Sequence, residues 1–267
     1  MTAFDPWLDR WALAIDGSPT RTASSDLLPV RRDGAPAMLK ITRTREEQRG
    51  ASILQWYAGE GAVRVLEIDG SALLLERVRS DQSLAATSKS GRDDAATRIL
   101  CAAVRTLHRT RRSATAVRPY SARCVVPSTR VSRSSAARTV EVGGPRAAGR
   151  HARGHSAAWD IHHDNVLHDR ERGWLAIDPK GLLGERTFDY TNIFCNPDLE
   201  TATSPTVFSR RLDVVPDESK IDRERLLRWV FAYAGLSASW CMEDDDRGGV
   251  AWRLAIVEIA SREVRVR

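Results

Sequence analysis

The chain has 267 residues, of which 42% are hydrophobic and 28% are charged, and these proportions are typical of a globular protein. It contains no run of about 18 apolar residues, and its N-terminal residues lack the basic and apolar regions of a signal peptide, so neither a transmembrane helix nor a leader is expected. The four cysteines are widely spaced and form no Cys-x-x-Cys pair, which favours free thiols and a cytoplasmic location.

The formal net charge of +6 is distributed unevenly along the chain. Residues 109–159 contain 11 Arg, no Lys and one acidic residue, Glu141, so this segment carries +10 and the rest of the chain carries −4. The basic character therefore belongs to one segment, and nucleic acid is not expected as the main partner.

The first part of the chain is predicted to be rich in strands, separated by turn residues. A turn over Asp16–Asp26 divides the first two strands, and Asp69-Gly70 indicates a hairpin. The predicted strands are Trp11–Ile15, Leu27–Arg31, Ala37–Ile41, Val63–Ile68 and Ala72–Val78, with a helix over Arg45–Tyr57 after the third.

The second part is predicted to be mostly helical. Asp93 is interpreted as the N-cap of a helix that reaches His108. A polar loop over Asp160–Asn165 and a strand over Trp174–Ile177 follow later, and the remaining predicted helices are Phe188–Phe194, Asp222–Trp240 and Trp252–Ile259. Strands first and helices afterwards predict an α+β fold.

Residues 109–159 interrupt this order with a different composition. They contain no Leu, Ile, Phe or Met, but ten Ala and seven Ser. Such a segment has little apolar surface to offset the entropy of ordering, so we expect it to be disordered or misfolded.

Several polar residues occur in the order that phosphoryl transfer requires. Asp160 and Asn165 have the Asp-x-x-x-x-Asn spacing of a kinase catalytic loop, in which the Asp accepts the substrate proton and the Asn binds Mg²⁺. Asp178 ends an apolar strand, with Gly181 expected in the turn after it, and is the candidate second Mg²⁺ ligand. Lys40 on the third strand is a candidate for the ATP phosphates, with Glu47 on the next helix as its partner.

Several longer motifs resemble the aminoglycoside/hydroxyurea antibiotic resistance kinase family, in particular its streptomycin 6-phosphotransferase branch. The motifs are Pro36–Lys40, Gly61–Val65, Leu73–Glu76, Asp160–Val166, Gly173–Pro179, Gly181–Tyr190 and Asn192–Phe194.

This resemblance implies a two-lobed protein-kinase-like fold, with residues 1–78 as a nucleotide-binding N-lobe and 79–267 as a C-lobe that holds the catalytic loop and the acceptor site. It implies ATP-dependent phosphorylation of a hydroxyl on a small-molecule antibiotic, most directly a streptomycin-type aminoglycoside. The implied catalytic base is Asp160, and the implied Mg²⁺ ligands are Asn165 and Asp178. The implied ATP contacts are Lys40, Glu47 and the backbone of Glu76–Val78, and Asp189 would brace the catalytic loop.

One short stretch departs from the family pattern. The family has Leu-His-Gly before the catalytic Asp, and this chain has Ala157-Ala158-Trp159. The codons GCT-GCA-TGG encode Ala-Ala-Trp, and the same bases read one position later encode Leu-His-Gly. We therefore hypothesise that residues 109–159 are translated out of frame, which would impair the enzyme; a natural basic linker is the alternative.

Three further alternatives remain open from the sequence. The acceptor could be hydroxyurea rather than an aminoglycoside. The arginine-rich segment could bind nucleic acid non-specifically. The acidic stretch Glu243–Asp246 could form a wall of a cationic acceptor site, or it could be a solvated turn.

Overall fold

The computed structural model describes residues 2–22, 24–109, 128–131, 140–143 and 155–265, and these form a β-sheet lobe followed by a mainly helical lobe. The two-lobed α+β arrangement expected from the sequence is confirmed. Most of residues 109–159, for which disorder or misfolding was expected, lie outside the described residues. Within the described ranges, no helix has the length and apolar character needed to cross a bilayer.

The β-sheet lobe is built from two helices and six strands. They are α1 (Asp5–Arg10), β1 (Leu13–Ile15), β2 (Thr20–Arg21), β3 (Ser25–Arg32), β4 (Ala35–Thr42), α2 (Arg45–Tyr57), β5 (Val65–Asp69) and β6 (Ala72–Glu76). The antiparallel sheet has the order β1-β3-β4-β6-β5, with β2 also paired to β3. The sequence predicts only a turn over Asp16–Asp26, but β2 forms inside it because Thr20 and Arg21 pair with the start of β3.

The two faces of this sheet have different environments, since side chains alternate along a strand. On β4, Ala37, Leu39 and Ile41 face a small apolar core that α1 helps to cover. Met38 and Lys40 point to the other face, toward a cavity between the lobes. Because of this alternation, the Lys40 side chain points away from the small apolar core and into the cavity.

Helix α2 connects the sheet to the second lobe. Its N-cap is Thr44, whose hydroxyl accepts a hydrogen bond from the backbone N–H of Glu47. Gly50 lies directly against Pro179, and a Cβ at Gly50 would be 2.5 Å from the Pro179 carbonyl oxygen. The absence of a side chain at Gly50 thus allows α2 to pack closely on the strand that follows Asp178.

The helical lobe contains short strand pairs and longer helices. Its elements are α3 (Leu84–Thr87), a π-helical turn (Ser88–Arg92), α4 (Asp93–Arg109), β7 (Ser128–Val131), β8 (Val140–Gly143), β9 (His155–Trp159), β10 (Val166–Asp169), β11 (Gly173–Ala176), β12 (Pro179–Glu185), α5 (Phe188–Thr191), a 3₁₀ helix (Asn192–Cys195), α6 (Leu199–Thr203), α7 (Pro205–Ser219), α8 (Arg223–Glu243) and α9 (Arg247–Arg265). The strand pairs are β7 with β8, β9 with β12, and β10 with β11, all antiparallel.

The prediction that Asp93 is an N-cap was wrong. A π-helical turn, Ser88–Arg92, precedes it, and Asp93 itself has helical dihedral angles. Its buried carboxylate accepts hydrogen bonds from the hydroxyl of Ser88 and from the guanidinium of Arg211 on α7. Asp93 is therefore the first residue of α4, and its side chain joins α4 to α7 instead of capping a helix.

The prediction that Gly181 lies in a turn was also wrong, because it lies within β12. The register of the β9–β12 pair shifts between Pro179 and Leu182. Gly181 therefore lies at a bulge within a strand, where a turn was expected. This bulge forms because β12 pairs with β9.

A set of contacts joins the two lobes along one edge, and we call it the interlobe joint. The backbone of Ala176 accepts a hydrogen bond from Val63 N–H at 3.1 Å and donates one to the Gly61 carbonyl at 3.0 Å. Arg172, in the turn between β10 and β11, donates to the Ala62 carbonyl at 2.8 Å and pairs with Glu76. The C-lobe therefore contacts the N-lobe at two places: just before β5, at Gly61–Val63, and at the end of β6, at Glu76.

Candidate active site

A cavity of about 520 Å³ lies between the inner face of the sheet and the loop that contains Asp160. This volume is in the range of small-molecule and cofactor sites, roughly 300–1,000 Å³. Its walls bring together segments that are far apart in sequence: residues 22 and 24–27, β4, α2, residues 75–78, residues 160–167 and residues 177–180.

Lys40 and Glu47 form an ion pair on one wall of the cavity. The Lys40 Nζ contacts the Glu47 carboxylate and lies 3.6 Å from Asp178 Oδ1. Burial alone would raise the pKa of Glu47, but the Lys40 ammonium and hydrogen bonds from Lys40 and Ser24 outweigh it and hold this pKa below its usual value. Both side chains are mostly buried, so the pair fixes the ammonium in the cavity.

The loop Asp160–Asn165 is attached to the segment around Asp178 by its backbone. Asp160 N–H donates to the Asp178 carbonyl at 3.0 Å, and Ile177 N–H donates to the Asn165 carbonyl at 3.1 Å. The Asn165 side-chain nitrogen donates to the Asp160 carbonyl at 3.0 Å, which leaves the side-chain oxygen as an acceptor. The structure thus brings Asp160, Asn165 and Asp178 together in one cavity wall.

Asn192, in the 3₁₀ helix, holds one oxygen of the Asp160 carboxylate. Its side-chain nitrogen donates to Asp160 Oδ1. Asn196 in turn donates to Asn192 Oδ1 at 2.9 Å, and the Asn196 carbonyl accepts from buried Arg211 at 2.6 Å. Asn192 was not among the site residues predicted from the sequence, and its place in the Asn192–Phe194 motif was the available signal.

Lys180 is a second functional candidate that the sequence analysis missed. Its Nζ lies 3.0 Å from Asp160 Oδ2 and 3.4 Å from Asp178 Oδ2. In an extended chain, residues two apart point to the same side, so its spacing from Asp178 was the signal that could have identified it.

Asp189 contacts the backbone just before the loop Asp160–Asn165. Its Oδ1 accepts a hydrogen bond from Trp159 N–H at 2.8 Å, and its Oδ2 lies 2.7 Å from His108 Nε2. Trp159, which replaces the glycine of the family pattern, is 1% exposed and packs edge-on against Tyr57 at a centroid distance of 5.0 Å. In this structure the residue before Asp160 is therefore fixed by both packing and hydrogen bonding.

Glu76 and Val78 line the cavity together with Arg77. The Glu76 carboxylate accepts a hydrogen bond from Arg64 N–H at 2.8 Å and pairs with Arg172. The backbone N–H groups of Glu76 and Arg77 are engaged as well, with the carbonyls of Arg64 at 3.0 Å and Pro36 at 3.4 Å.

The acidic stretch Glu243–Asp246 lies at the end of α8 and in the turn to α9. Among the described residues that line the cavity, none comes from this stretch. Asp246 accepts a hydrogen bond from Gly249 N–H at 2.9 Å, which is the geometry of a helix cap.

A sequence model of the aminoglycoside/hydroxyurea antibiotic resistance kinase family matches residues 10–245. A streptomycin 3''-kinase of Klebsiella pneumoniae is 42% identical over 250 residues, covering 89% of this chain and 91% of the relative. A streptomycin 6-kinase of Streptomyces griseus is 30% identical, covering 96% and 87%, and a hydroxyurea phosphotransferase of Kitasatospora aureofaciens is 30% identical, covering 95% and 76%.

Solved structures with the same fold include kinases of small molecules. A thermostable mutant of an aminoglycoside phosphotransferase in ternary complex with ADP and hygromycin B has a TM-score of 0.63 and 10% identity, with 98% of each chain covered. An ethanolamine kinase of Plasmodium vivax has a TM-score of 0.59 and 10% identity, covering 93% of this chain and 82% of that chain. These similarities confirm the protein-kinase-like fold.

Proposed function

The chain belongs to the aminoglycoside/hydroxyurea antibiotic resistance kinase family, and from this premise we propose that it transfers the γ-phosphoryl group of ATP to a hydroxyl of streptomycin. Membership of this family itself supports an antibiotic-modifying phosphotransferase, and the proposal adds the identity of the acceptor. The observation that carries the proposal is the single cavity where Lys40, Glu47, Asp160, Asn165 and Asp178 meet.

The nucleotide is proposed to bind on the β-sheet side, with residues 1–78 as the nucleotide-binding lobe and 79–267 as the catalytic lobe. Lys40, held by Glu47, would neutralise the α- and β-phosphates. The backbone of Glu76–Val78, a segment that lines the cavity, would meet the adenine ring.

The side-chain oxygens of Asn165 and Asp178 fit a Mg²⁺ site, because this cation prefers carboxylate and amide oxygens. Asn165 commits its nitrogen to the Asp160 carbonyl and so keeps its oxygen available. When bound, Mg²⁺ supplies positive charge to the phosphates of the nucleotide.

Asp160 is proposed as the base that orients the acceptor hydroxyl and takes its proton. Asn192 holds Oδ1, and Oδ2, which lies 3.0 Å from Lys180 Nζ, is the oxygen that would take the proton. The rate depends on how accurately the Asp160 carboxylate is placed against the acceptor hydroxyl, and a displacement of about 1 Å can lower the rate roughly 100-fold.

The 3''-hydroxyl is the first position to test, because identity to the 3''-kinase (42%) exceeds identity to the 6-kinase (30%). The 6-hydroxyl and hydroxyurea are the other candidates, supported by the relatives that carry those names.

The test is incubation of the purified chain with ATP, Mg²⁺ and streptomycin, followed by mass spectrometry and phosphorus NMR of the product. We expect a gain of one phosphoryl group on streptomycin, with the NMR couplings identifying the hydroxyl. Asp160→Asn, which keeps the side-chain shape, should bind ATP and form no product. Absence of phosphorylated streptomycin, other aminoglycosides and hydroxyurea with a folded chain would refute the proposal.

A further inference from the structure

Lys180 lies between the two carboxylates that the proposed reaction uses. Its ammonium is 3.0 Å from Asp160 Oδ2 and 3.4 Å from Asp178 Oδ2, and the side chain is 27% exposed. Asp160 would hold the acceptor oxygen and Asp178 would face the nucleotide. The position between them is therefore the path of the transferred phosphoryl group.

The backbone holds Lys180 in this position. Pro179, the residue between Asp178 and Lys180, is buried and pairs with Trp159 of β9. Its carbonyl lies so close to α2 that the neighbouring helix position is Gly50. The side chains of Asp178 and Lys180 therefore leave a fixed segment on the same side, toward the cavity.

Transfer of a phosphoryl group places negative charge on its equatorial oxygens, and a fixed cation beside them stabilises that charge. We propose that Lys180 is a further catalytic residue that contacts the γ-phosphoryl group during transfer. This inference rests on the proposed roles of Asp160 and Asp178.

The step is balanced without a proton from Lys180. The acceptor hydroxyl gives its proton to Asp160 as its oxygen forms the new bond to the γ-phosphorus. The bond from the γ-phosphorus to the bridging oxygen breaks, and its electron pair leaves with ADP. Lys180 keeps its proton throughout and contributes charge only.

The two cavity lysines thus have separate tasks. Lys40 is engaged by Glu47 and lies on the sheet side, where the α- and β-phosphates are proposed to bind. Lys180 lies beside Asp160, where the γ-phosphate and not the α- or β-phosphate is proposed to lie. Loss of Lys180 should therefore weaken binding of a triphosphate more than binding of a diphosphate.

Calorimetric titration of Mg·AMP-PNP and Mg·ADP tests this difference without an acceptor. For Lys180→Met we expect the Kd of Mg·AMP-PNP to rise about 10-fold or more, as for loss of a charged hydrogen bond, while that of Mg·ADP changes less than about 3-fold. Lys180→Arg should recover most of the difference. Lys220→Met is the matched control, since Lys220 is an exposed lysine paired with Asp217 outside the cavity.

Turnover provides the second measurement. With an acceptor that the wild-type chain phosphorylates, Lys180→Met should lower kcat by about 10²–10³-fold, and the KM for ATP should rise together with the Kd of Mg·AMP-PNP. Equal weakening of both nucleotides, or unchanged AMP-PNP binding, would overturn the inference, as would a wild-type chain that binds neither nucleotide. If the nucleotide difference is found but no acceptor is phosphorylated, the inference stands and the proposed acceptor fails.

Discussion

His163 lies in the loop Asp160–Asn165, and its side chain is buried in the interior of the protein. Its side chain is buried, and within the described part of the chain neither ring nitrogen has a hydrogen-bond partner. Burial, reinforced by the positive charge of Arg211, lowers the pKa of His163 to about 3 from the ordinary 6.5. The folded protein therefore keeps this imidazole neutral at neutral and mildly acidic pH.

This neutral histidine should make the fold sensitive to acid. Below pH 6.5 the unfolded chain binds a proton at this position that the folded chain does not, so stability falls as the pH falls toward about 3. Between pH 6.5 and about pH 5 the loss should be about 2 kcal/mol in the free energy of unfolding. In urea titrations across this range, His163→Gln should flatten the pH dependence.

Gln48→Ala, which lies at an exposed position of α2 and changes no titratable group, is the control, and it should keep the wild-type slope. An equal slope in wild type and His163→Gln would contradict this account of His163. The comparison uses slopes, so any loss of stability at neutral pH in the variant does not affect it. Glu47 and Asp93, whose pKa values are lowered, should add to the loss only in more acidic solution.

At the scale of elements, the packing of α2 on β12 links the Lys40–Glu47 pair to Asp178 and Lys180. Gly50→Ala would normally stabilise a helix by about 1 kcal/mol, because alanine has the higher helix propensity. Here the new Cβ would meet the Pro179 carbonyl oxygen. We expect a net loss of about 1–3 kcal/mol in the free energy of unfolding and a lower kcat, measured by denaturant titration and by the phosphorylation assay.

Gln48→Ala, at an exposed position of the same helix, is the matched control and should retain stability and activity. A Gly50→Ala variant that is as stable and active as wild type would show that the contact between α2 and β12 is loose.

Local signals predicted the elements and residues that depend on nearby sequence. The bounds of α2 match the prediction because Thr44 caps it and its apolar spacing is regular. Helix α7 was missed although Ser204 accepts from Val207 N–H and Pro205 opens the helix, both local signals of a helix start.

Contacts between distant segments could not be derived in the same way. Gly181 lies in a strand and not in the predicted turn because β12 pairs with β9. Asp93 accepts a hydrogen bond from Arg211, which is 118 residues away in the sequence. The spacing of Asp160, Asn165 and Asp178 was visible in the sequence, whereas the approach of Lys180 and Asn192 to Asp160 depends on the fold.

At the scale of the whole molecule, the out-of-frame hypothesis for residues 109–159 leads to a prediction about activity. The out-of-frame hypothesis predicts that the coding DNA, read one base later across this segment, encodes a leucine-rich stretch that ends in Leu-His-Gly. A chain with the restored segment should give a higher soluble yield and at least about 10-fold higher kcat, since catalysis depends on precise positioning.

Sequencing of the gene and parallel assays of both chains check this prediction. If the alternative frame contains stop codons or lacks leucine, a natural basic linker is the better account. Should the existing segment bind nucleic acid instead, its affinity for DNA would fall steeply with salt and would disappear when the segment is deleted.

The interlobe joint has a mechanical consequence for the exchange of ligands. Arg172 and the backbone of Ala176 fasten the N-lobe at Gly61, Ala62, Val63 and Glu76. Because these contacts hold the two lobes together at one edge, we expect the cavity to open by a hinge rotation about that edge. The lobes would not separate there. ADP would then leave and ATP would enter through the widened mouth of the cleft, while the depth of the cleft, measured from the hinge edge, stays constant.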